Sequence, residues 1–391
     1  MTLIVRRQLP VSSPVTLRGL MHGVRGALGA DASPLLAAEL RARYGVAGVA
    51  LCDSGTSALV LALRAAVSNG GTVAFPSYSC VDLAAAARFT GVRVRLYDLD
   101  PATLSADLES LESTLRRGVD AVLAVHLYGY PTDIPAMRVL TGAYGAALIE
   151  DAAQAAGGRV SGRLAGGLGD LSILSFGRGK GTTGGRGGAV MAADPSWLAR
   201  LEPHLRALNV DSGSGWGDLT RAAALWLLGR PTLYGLPAAI PGLRLGEMVY
   251  HPAHEPTAIS RAAAALVRTA LWGDEAEIAC RRRNAGALVD ATPDAGDVTR
   301  IRAVAGADPG YLRYAVLAAE RAPVPSLGIG RGYPRALYEQ TELRPQLLAD
   351  EAEPLGGRHL RESLFTLPVH SHLTTRDLAG LRRWLQPTAP R

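Results

Sequence analysis

Short apolar runs alternate with helical patterns through the first half of the chain, and this alternation constrains the fold more than any other feature. Strands that alternate with helices favour a mainly parallel sheet with helices packed on both of its faces. The sequence therefore predicts an α/β fold. The predicted strands span residues 46–51, 72–75, 92–97, 121–125, 146–150, 171–176 and 189–192.

The pattern changes after about residue 195. Residues 196–290 are predicted to be mostly helical, and a single long helix is predicted over residues 259–288. The last part of the chain combines short strand patterns with a closing helix. Its predicted elements are strands at 311–317 and 364–367 and a helix at 375–385.

A chain of 391 residues exceeds what one hydrophobic core usually organises, so we expect two domains. Its 48% of apolar and 19% of charged residues are typical of a globular protein. We predict a large domain over residues 1–275, with a helical insertion at about 196–258, and a small α+β domain over residues 276–391.

The segment Asp53–Leu59 joins a predicted strand to a predicted helix with one glycine and three hydroxyl residues. Unpaired N–H groups and the positive end of the helix dipole make such a helix start an anion-binding site. The spacing of a Walker loop is absent. The same residues also suit a simple N-cap without a ligand, so the segment alone leaves both interpretations open.

An apolar strand pattern runs directly into two acidic residues, Glu150 and Asp151. In open α/β sheets, ligands bind beyond the carboxyl ends of the strands. Asp151 is therefore a candidate ligand-binding carboxylate. An aspartate at this place would equally suit the cap of a following helix, and the segment alone does not separate the two roles.

Lys180 is the only lysine among the 41 lysine and arginine residues of the chain. It follows the predicted strand 171–176 in the run SFGRGKGTTGGRGG, whose glycines we interpret as giving its side chain room to move. Arginine serves every other cationic role, but it cannot form an imine with an aldehyde. The guanidinium keeps its proton, whereas a lysine amine can lose its proton and attack. The lone lysine therefore indicates Schiff-base chemistry.

These three features together match the requirements of one cofactor, pyridoxal phosphate (PLP). Its phosphate needs an anion site, its pyridine nitrogen needs a carboxylate partner, and its aldehyde needs a lysine. A helix start, a strand-end aspartate and a lone lysine supply these three groups in the order of the chain. We therefore predict that the protein binds PLP.

Through nearly its whole length the sequence resembles the DegT/DnrJ/EryC1/StrS family of PLP-dependent aminotransferases, which has PLP transferase fold type I. SGTSAL at 54–59 is similar to the family's phosphate-side segment, and IEDAAQAAGG at 149–158 is similar to its EDxAQA motif. SFGRGKGTTGGRGG is similar to its SFxxxKxxxxGEGG motif. Further similar segments are FPSYSCVDLAAAARFTGVRVRLYDLDPATLSAD, AVHLYGYPTDI, YPRALYEQ and LPVHSHLT.

The resemblance implies a role for each matching residue. Lys180 would bind PLP as a Schiff base and would act as the acid and base that moves the α-carbon proton. Asp151 would pair with the pyridinium nitrogen, and Gln154 would lie against the ring or its 3′ oxygen. His126 would lie beneath the ring, in a chemical or a structural role. The residues expected to hold the phosphate are Gly55, Thr56, Ser57 and Ser175.

The sequence departs from the family's pattern at several positions around the cofactor. Cys80 stands at the place of the usual stacking aromatic, and Tyr78 is the candidate replacement. Arg186 stands where the GEGG motif has its acid. The usual asparagine that reaches the neighbouring subunit's phosphate is missing, and Tyr250 and His251 are the candidates for its place. These departures leave the cofactor prediction unchanged and weaken the expectation of a nucleotide-linked substrate.

The predicted activity is transfer of an amino group from an amino acid, glutamate or glutamine, to a keto acceptor. The resemblance implies a nucleotide-linked keto sugar or a biosynthetic cyclic ketone as acceptor. Two alternatives stay open: another PLP-dependent reaction, such as elimination or carbon–carbon bond formation, and a non-catalytic regulatory protein that binds PLP. Related sugar dehydratases carry histidine in place of the lysine, so Lys180 argues against that branch.

Composition limits the expected partners and compartment. The net charge is +6, but no basic tract interleaved with aromatic residues indicates nucleic-acid binding. No apolar run reaches the ~20 residues that span a bilayer, and the start lacks the apolar core of a signal peptide. Cys52, Cys80 and Cys280 lack metal-ligand spacing, so we expect no metal site and a reducing, cytoplasmic location. The family resemblance implies a homodimer.

Overall fold

The computed structural model describes residues 6–155, 157–208, 213–238, 248–293, 296–348 and 354–387. The strands are β1 (Gly48–Cys52), β2 (Thr72–Pro76), β3 (Arg93–Tyr97), β4 (Ala121–Val125), β5 (Ala147–Asp151), β6 (Arg159–Val160), β7 (Arg163–Leu164), β8 (Leu171–Ser175), β9 (Gly188–Ala192), β10 (Thr299–Arg300), β11 (Ala307–Asp308), β12 (Tyr314–Leu317), β13 (Gly330–Arg331) and β14 (Leu364–Leu367). The helices are α1 (Leu17–Ala27), α2 (Ser33–Tyr44), α3 (Gly55–Ala66), α4 (Asp82–Thr90), α5 (Leu108–Arg116), α6 (Ile134–Tyr144), α7 (Pro195–Leu205), α8 (Trp216–Leu228), α9 (Pro231–Ala238), α10 (Arg261–Leu271), α11 (Asp274–Val289), α12 (Leu355–Ser363) and α13 (Thr375–Leu385).

A seven-stranded sheet in the order β1-β9-β8-β5-β4-β2-β3 forms the centre of the molecule. Neighbouring strands from β8 to β3 are paired parallel, whereas β9 is antiparallel to both of its neighbours. The sheet is therefore mainly parallel, which confirms the predicted fold class. Strand β9 reverses direction because a loop without a crossover helix connects it to β8.

The interior strands are apolar at successive positions rather than at alternate ones. Every residue of β4 and of β5 is buried. Helices cover both faces of a parallel sheet, so each side chain of an interior strand faces a packed layer. Helix α3 packs into the same core with Leu59, Leu61 and Leu63 buried. This burial explains why the strand patterns are recognisable in the sequence.

The single helix predicted over residues 259–288 is wrong, because the structure divides that segment into α10 and α11. Helix α10 ends at Leu271, and Gly273 is the non-helical residue before α11. Acidic residues Asp274, Glu275 and Glu277 occupy the first turn of α11, where a negative charge is favoured by the helix dipole. The predicted domain boundary after residue 275 lies within this first turn.

A second sheet, in the order β10-β12-β14-β13, lies in the last part of the chain and is antiparallel throughout. It packs its own core against α11 and α13, with buried residues that include Leu288, Phe365 and Leu381. Strand β12 begins at Tyr314 rather than at the predicted residue 311. The backbone of Tyr311 has a φ of 49°, which is left-handed and incompatible with a strand.

The segment before α1 connects the second sheet's layer to the centre of the molecule. The Arg6 guanidinium forms two hydrogen bonds of 2.6 and 2.7 Å with the Asp377 carboxylate at the start of α13. The buried His370 imidazole donates from Nε2 to the Leu9 carbonyl oxygen over 2.9 Å. Its Nδ1 accepts a hydrogen bond of 3.3 Å from the backbone N–H of His372. Both ring nitrogens are therefore used by a neutral imidazole.

We expect the free energy of unfolding to fall as the pH drops below 6.5, with His370 as a contributor. Burial lowers the pKa of His370 from 6.5 to about 4. Because the folded pKa lies below the unfolded value, His370 stabilises the fold above pH 6.5 and loses this contribution as the pH falls towards 4. Between pH 7 and 5 the loss amounts to about 2 kcal/mol.

Urea unfolding at the two pH values measures this effect. His370→Gln keeps an amide donor for the Leu9 carbonyl but cannot titrate, so it should show a smaller difference between pH 7 and pH 5 than the wild type. His372, whose pKa burial also lowers, is present in both proteins, so part of the pH dependence should persist in His370→Gln. An unchanged pH dependence in His370→Gln would remove His370 from the explanation.

Candidate active site

Four strand ends meet at the carboxyl edge of the central sheet. Asp53 follows β1, His126 follows β4, Asp151 is the last residue of β5, and Ser175 is the last residue of β8. A cavity of about 230 Å³ opens at this edge, where ligands bind in open α/β sheets. The sequence-predicted site residues that line it are Gly55, Thr56, Cys80, His126, Asp151, Gln154, Ser175 and Lys180.

The first turn of α3 forms one wall of this cavity. Ser54 is the N-cap residue, and its hydroxyl accepts a hydrogen bond of 3.0 Å from the Ser57 N–H. A Cβ on Gly55 would lie 2.6 Å from the Ser175 Cβ and 2.7 Å from its Oγ. Glycine is required here because Ser175 approaches the helix start so closely. Helix N–H groups and the Ser175 hydroxyl therefore form a cup suited to an anion.

Replacing Gly55 with alanine should weaken phosphate-group binding at this cup. The added methyl group displaces the Ser175 side chain, so we expect about tenfold lower affinity for a phosphorylated ligand, from one lost charge-assisted hydrogen bond. Stability should fall by about 1–3 kcal/mol because the site is overpacked. Titration with PLP and thermal unfolding measure the two effects.

Gly142→Ala is the matched control for this prediction. Gly142 lies in α6, and a Cβ there would meet no atom within 4 Å. Alanine should leave ligand affinity unchanged at this position. Equal PLP affinities of Gly55→Ala and Gly142→Ala would contradict the proposed cup.

Ser57, which is predicted to hold the phosphate, does not line the cavity. Its side chain is buried, and its hydroxyl donates a hydrogen bond of 2.7 Å to the Asp53 carboxylate. It also accepts a hydrogen bond of 2.9 Å from the Ser54 hydroxyl. The position of Ser57 within the first turn of the helix directs it to the cap rather than to the open edge.

Glu150, adjacent to Asp151, has a structural role: it anchors surrounding protein groups by accepting their hydrogen bonds. The sequence alone does not distinguish this role from that of a ligand-binding carboxylate. It is fully buried, and its carboxylate accepts hydrogen bonds of 2.6 to 3.0 Å. Burial opposes ionisation, but the His126 hydrogen bond and the backbone N–H groups outweigh it and lower the pKa of Glu150. The donors are the backbone N–H groups of Gly166, Leu168 and Gly169, the Ser172 hydroxyl and the His126 ring.

The hydrogen bonds of His126 fix its protonation. The backbone N–H of Thr132 donates to Nδ1 over 3.1 Å, so Nδ1 carries no proton. Nε2 lies 2.8 Å from the Glu150 carboxylate and is therefore the protonated nitrogen that donates to it. His126 is a neutral, fully buried ring whose two nitrogens are both used by the protein. It forms part of the cavity wall and has no nitrogen left for proton transfer.

Asp151 presents its carboxylate to the cavity from the end of β5. One oxygen accepts a hydrogen bond of 2.9 Å from the Ala153 N–H. Burial raises the pKa of Asp151, and the Ala153 N–H and the nearby Lys180 ammonium oppose that rise. A buried carboxylate at this edge is suited to pair with a cationic ligand group.

Lys180 lies in the loop that connects β8 to the antiparallel strand β9. Ser13, from the segment before α1, holds this loop with its hydroxyl. It accepts from the Gly179 N–H over 3.0 Å and donates to the Lys180 carbonyl oxygen over 2.7 Å. No local pattern in the sequence indicates this contact, because the two segments are distant along the chain.

Gly184 and Gly185, after Lys180, serve close packing, which differs from the interpretation of these two glycines as room for the lysine side chain. A Cβ on Gly184 would lie 2.7 Å from the Ala263 carbonyl oxygen, and one on Gly185 would lie 2.5 Å from the Asp218 carbonyl oxygen. Backbone atoms cannot move aside as a flexible side chain can. This half of the loop is therefore pressed against α8 and α10.

Gln154 and Cys80 line the cavity, whereas Tyr78 does not. The Gln154 amide oxygen accepts a hydrogen bond of 3.2 Å from the Tyr128 N–H. The Cys80 thiol donates to Asp82 over 3.2 Å, and burial raises its pKa. Tyr78 is fully buried behind the wall, where its hydroxyl donates to the Tyr333 carbonyl oxygen. This position does not support Tyr78 as a stacking residue.

Arg186 and Asp53 form an ion pair on the cavity wall that the sequence did not predict. The Arg186 Nη2 lies 2.9 Å from an Asp53 carboxylate oxygen, and the His254 Nε2 lies 3.2 Å from the same oxygen. A second cavity of about 270 Å³ adjoins the first and shares this pair. Tyr250 and His251, the candidates for contact with a neighbouring phosphate, line neither cavity in the part of the chain that the structure describes.

None of the helices within the described residues combines the length and the apolar character needed to cross a membrane.

Comparison with known proteins identifies relatives of this chain. The DegT/DnrJ/EryC1/StrS aminotransferase family model matches residues 28–216. A UDP-N-acetyl-3-dehydro-α-D-glucosamine 3-aminotransferase of Acidithiobacillus ferrooxidans is 36% identical over 44% of this chain and 47% of its own length. An L-glutamine:2-deoxy-scyllo-inosose aminotransferase of Streptoalloteichus tenebrarius is 38% identical over 44% of this chain and 40% of its own length. The chain thus spans less than half the length of these curated relatives in the matched regions.

A solved structure resembles the fold over nearly its whole extent. The sugar aminotransferase CalS13 from Micromonospora echinospora superposes with a TM-score of 0.75 and 20% identity. The match covers 96% of this chain and 98% of that one. The family match is confined to residues 28–216, so this part of the chain is similar to the DegT/DnrJ/EryC1/StrS aminotransferase family.

Proposed function

We propose that the protein is a PLP-dependent aminotransferase. It moves an amino group from an amino acid, glutamate or glutamine, to a keto acceptor such as a nucleotide-linked keto sugar or a biosynthetic cyclic ketone. The observation that carries this proposal is that one cavity joins the lone Lys180, the strand-end Asp151 and the anion cup at the start of α3. The relatives' amino transfer to a keto sugar and to a keto cyclitol supports it.

The residues of the cavity fit each part of PLP. The N–H groups at the start of α3, with the Thr56 side chain and the Ser175 hydroxyl, suit the phosphate. The Asp151 carboxylate suits a protonated ring nitrogen, because the buried carboxylate is stabilised by a cationic partner. Bound PLP supplies an aldehyde that condenses with amines and a ring that withdraws electrons from the substrate α-carbon.

Proton transfer at the substrate α-carbon falls to Lys180. The His126 nitrogens are both occupied by Thr132 and Glu150, and burial keeps the Cys80 thiol protonated. The Arg178 and Arg186 guanidinium groups do not release a proton under working conditions. The similarity of the segment around Lys180 to the family's lysine motif supports Lys180, which lines the same cavity as Asp151, as the residue whose Nζ takes the α-carbon proton and returns it.

A half-reaction experiment tests this function. The purified protein should take up PLP with a yellow absorption band, and L-glutamine or L-glutamate should bleach that band. Adding a keto acceptor should restore the band and yield an aminated product, detected by mass spectrometry. A nucleotide-linked 3-keto sugar and a free keto cyclitol are the two acceptor classes to compare.

Each other outcome of that experiment rejects the proposal in a different way. Failure to bind PLP would reject the cofactor and the activity together. Bound PLP with release of ammonia or new carbon–carbon bonds would favour another PLP-dependent reaction. Bound PLP that responds to no amino donor would favour a regulatory binding protein.

We also propose that the protein works as a cytoplasmic homodimer. Cys52, Cys80 and Cys280 are all free thiols, as expected in a reducing compartment. Large apolar side chains on α8 and α9, Trp216, Leu227 and Leu236, are 46 to 49% exposed and are candidates for burial between subunits. Sedimentation should give a dimer, and a fully active monomer would contradict it.

The division into a large domain of residues 1–275 and a small domain of residues 276–391 is likewise a proposal. The separate antiparallel sheet and its own core, which includes Leu288 and Phe365, support it. Limited proteolysis should cut preferentially near the junction between α10 and α11 if the two parts move as units. Cleavage confined to other places would not support this boundary.

A further inference from the structure

Arg186 carries a positive charge to a place next to the anion cup. Gly187, the following residue, forms a β-bridge with Ser54, the N-cap of α3. Gly188 is paired in register with Ser175. The chain at Arg186 therefore runs beside both elements of the cup, and Arg186 lines the same cavity as Gly55 and Ser175.

The guanidinium of Arg186 retains donors beyond its ion pair. Its Nη2 contacts the Asp53 carboxylate at 2.9 Å, and its side chain is 42% exposed. A guanidinium has five N–H donors in a planar fork and binds phosphate oxygens well. The contact with Asp53 uses one edge of this fork, and the side chain borders both cavities.

The carboxylate of Asp53 would repel a phosphate bound at the cup, so a positive charge is needed beside it. It precedes the N-cap of α3, so its carboxylate lies at the same helix start where a phosphate would bind. Two of its contacts, the Ser57 hydroxyl and the Thr257 N–H, are neutral donors. A carboxylate beside a phosphate is repelled unless a cation stands between or beside them. Arg186, which lies 2.9 Å from an Asp53 oxygen, is placed to provide that compensation.

The balance of charges around the cavity makes Arg186 important for holding a phosphate. The cavity is lined by three acidic residues, Asp53, Asp82 and Asp151, and by three basic residues, Arg178, Lys180 and Arg186. In the proposed function Asp151 pairs with the ring nitrogen and Lys180 is committed to the aldehyde. The dianionic phosphate is then left with the helix start, which contributes a partial charge, and with the arginines.

We propose that Arg186 is a cofactor-binding residue that pairs with the phosphate of PLP while it neutralises Asp53. This inference rests on the proposed function and deepens it, because it assigns a residue to the phosphate that the matching motif does not supply. Arg186 thus adds a cationic group to a phosphate site that otherwise consists of helix N–H groups and hydroxyls.

Binding of PLP and of pyridoxal, which lacks the phosphate, to the cofactor-free protein tests the inference. We expect Arg186→Gln to weaken PLP binding by about 10- to 100-fold and to change pyridoxal binding less than threefold. Arg186→Lys keeps the charge but loses the fork, so its loss should be smaller. The dissociation constants come from absorbance titrations at fixed ionic strength.

Arg138→Gln is the matched control. Arg138 forms an ion pair of 3.0 Å with Asp170 and is 45% exposed, close to the exposure of Arg186, but it does not line the cavity. It should bind PLP as the wild type does. Circular dichroism of each variant verifies that the proteins are folded.

The double variant Asp53→Asn/Arg186→Gln distinguishes two roles of Arg186, namely direct binding of the phosphate and neutralisation of Asp53. If Arg186 binds the phosphate, removing the Asp53 charge should restore only part of the lost affinity. Full recovery of wild-type affinity would overturn the inference, since Arg186 would then act through Asp53 alone.

Two further outcomes are decisive. Wild-type PLP affinity in Arg186→Gln, or equal losses for PLP and pyridoxal, would overturn the inference and leave the proposed function intact. A wild-type protein that binds neither compound would instead reject the proposed function itself.

Discussion

Lys180→Ala is expected to abolish amino transfer and covalent attachment of PLP. The variant loses both the amine that condenses with the aldehyde and the base for the α-carbon proton, so turnover should fall by at least ~10³-fold. The arginines that line the cavity keep their protons and the His126 nitrogens are occupied, so neither replaces the amine, and the carboxylates of the cavity cannot condense with an aldehyde. Single-turnover absorbance with L-glutamine measures the loss.

Lys180→Arg separates charge from imine formation. Arginine restores a positive charge beside Asp151 but cannot condense with an aldehyde. It should therefore hold PLP without covalent attachment and remain inactive. Borohydride reduction followed by peptide mapping should place the cofactor on residue 180 in the wild type and on no residue in either variant. Covalent label on the wild-type protein at another site, or retained turnover in Lys180→Arg, would refute the assignment.

Glu150→Ala is expected to destabilise the fold by about 3–5 kcal/mol, a large part of the stability of a typical protein. The change leaves several buried donors without an acceptor, including the Gly166 N–H and the His126 Nε2. Each unsatisfied buried group costs its desolvation free energy. Urea unfolding of the cofactor-free protein measures the effect.

Two further variants make the Glu150 prediction specific. Glu150→Gln keeps the shape but turns an NH₂ group towards N–H donors, so it too should lose stability. Glu112→Gln is the control, because Glu112 lies on the surface of α5 in an ion pair of 2.6 Å with Arg116 and should change stability by less than about 0.5 kcal/mol. Equal stabilities of Glu150→Gln and Glu112→Gln would contradict the anchoring role.

The central sheet could be predicted because its strands are locally apolar. Strand β14 was predicted with its observed bounds, as was helix α13, whose Thr374 cap and acidic Asp377 are local signals. Strand β9 was predicted in place but not in direction. Its direction depends on how the loop around Lys180 packs, and no local periodicity records that packing.

The candidate site was predictable where a residue's chemistry is unusual in itself. Lys180 is the only lysine, and Asp151 ends a strand, so both could be identified without a structure. Glu150 and Ser57 have the same residue types as ligands, and only tertiary contacts show that they face His126 and Asp53 instead. Ser13 could not be found at all, because its partners Gly179 and Lys180 are remote in sequence.

The segment before α1 acts as a short mechanical tether between two parts of the molecule. Leu9 is held by His370 beside the second sheet, and Ser13 is held by the backbone of the Lys180 loop. Four residues of chain extend at most ~14 Å, so the two held points cannot separate beyond that distance while both contacts persist. A displacement of His370 that reached this limit would pull on the loop backbone, which links the position of the lysine to strain applied far from the cavity.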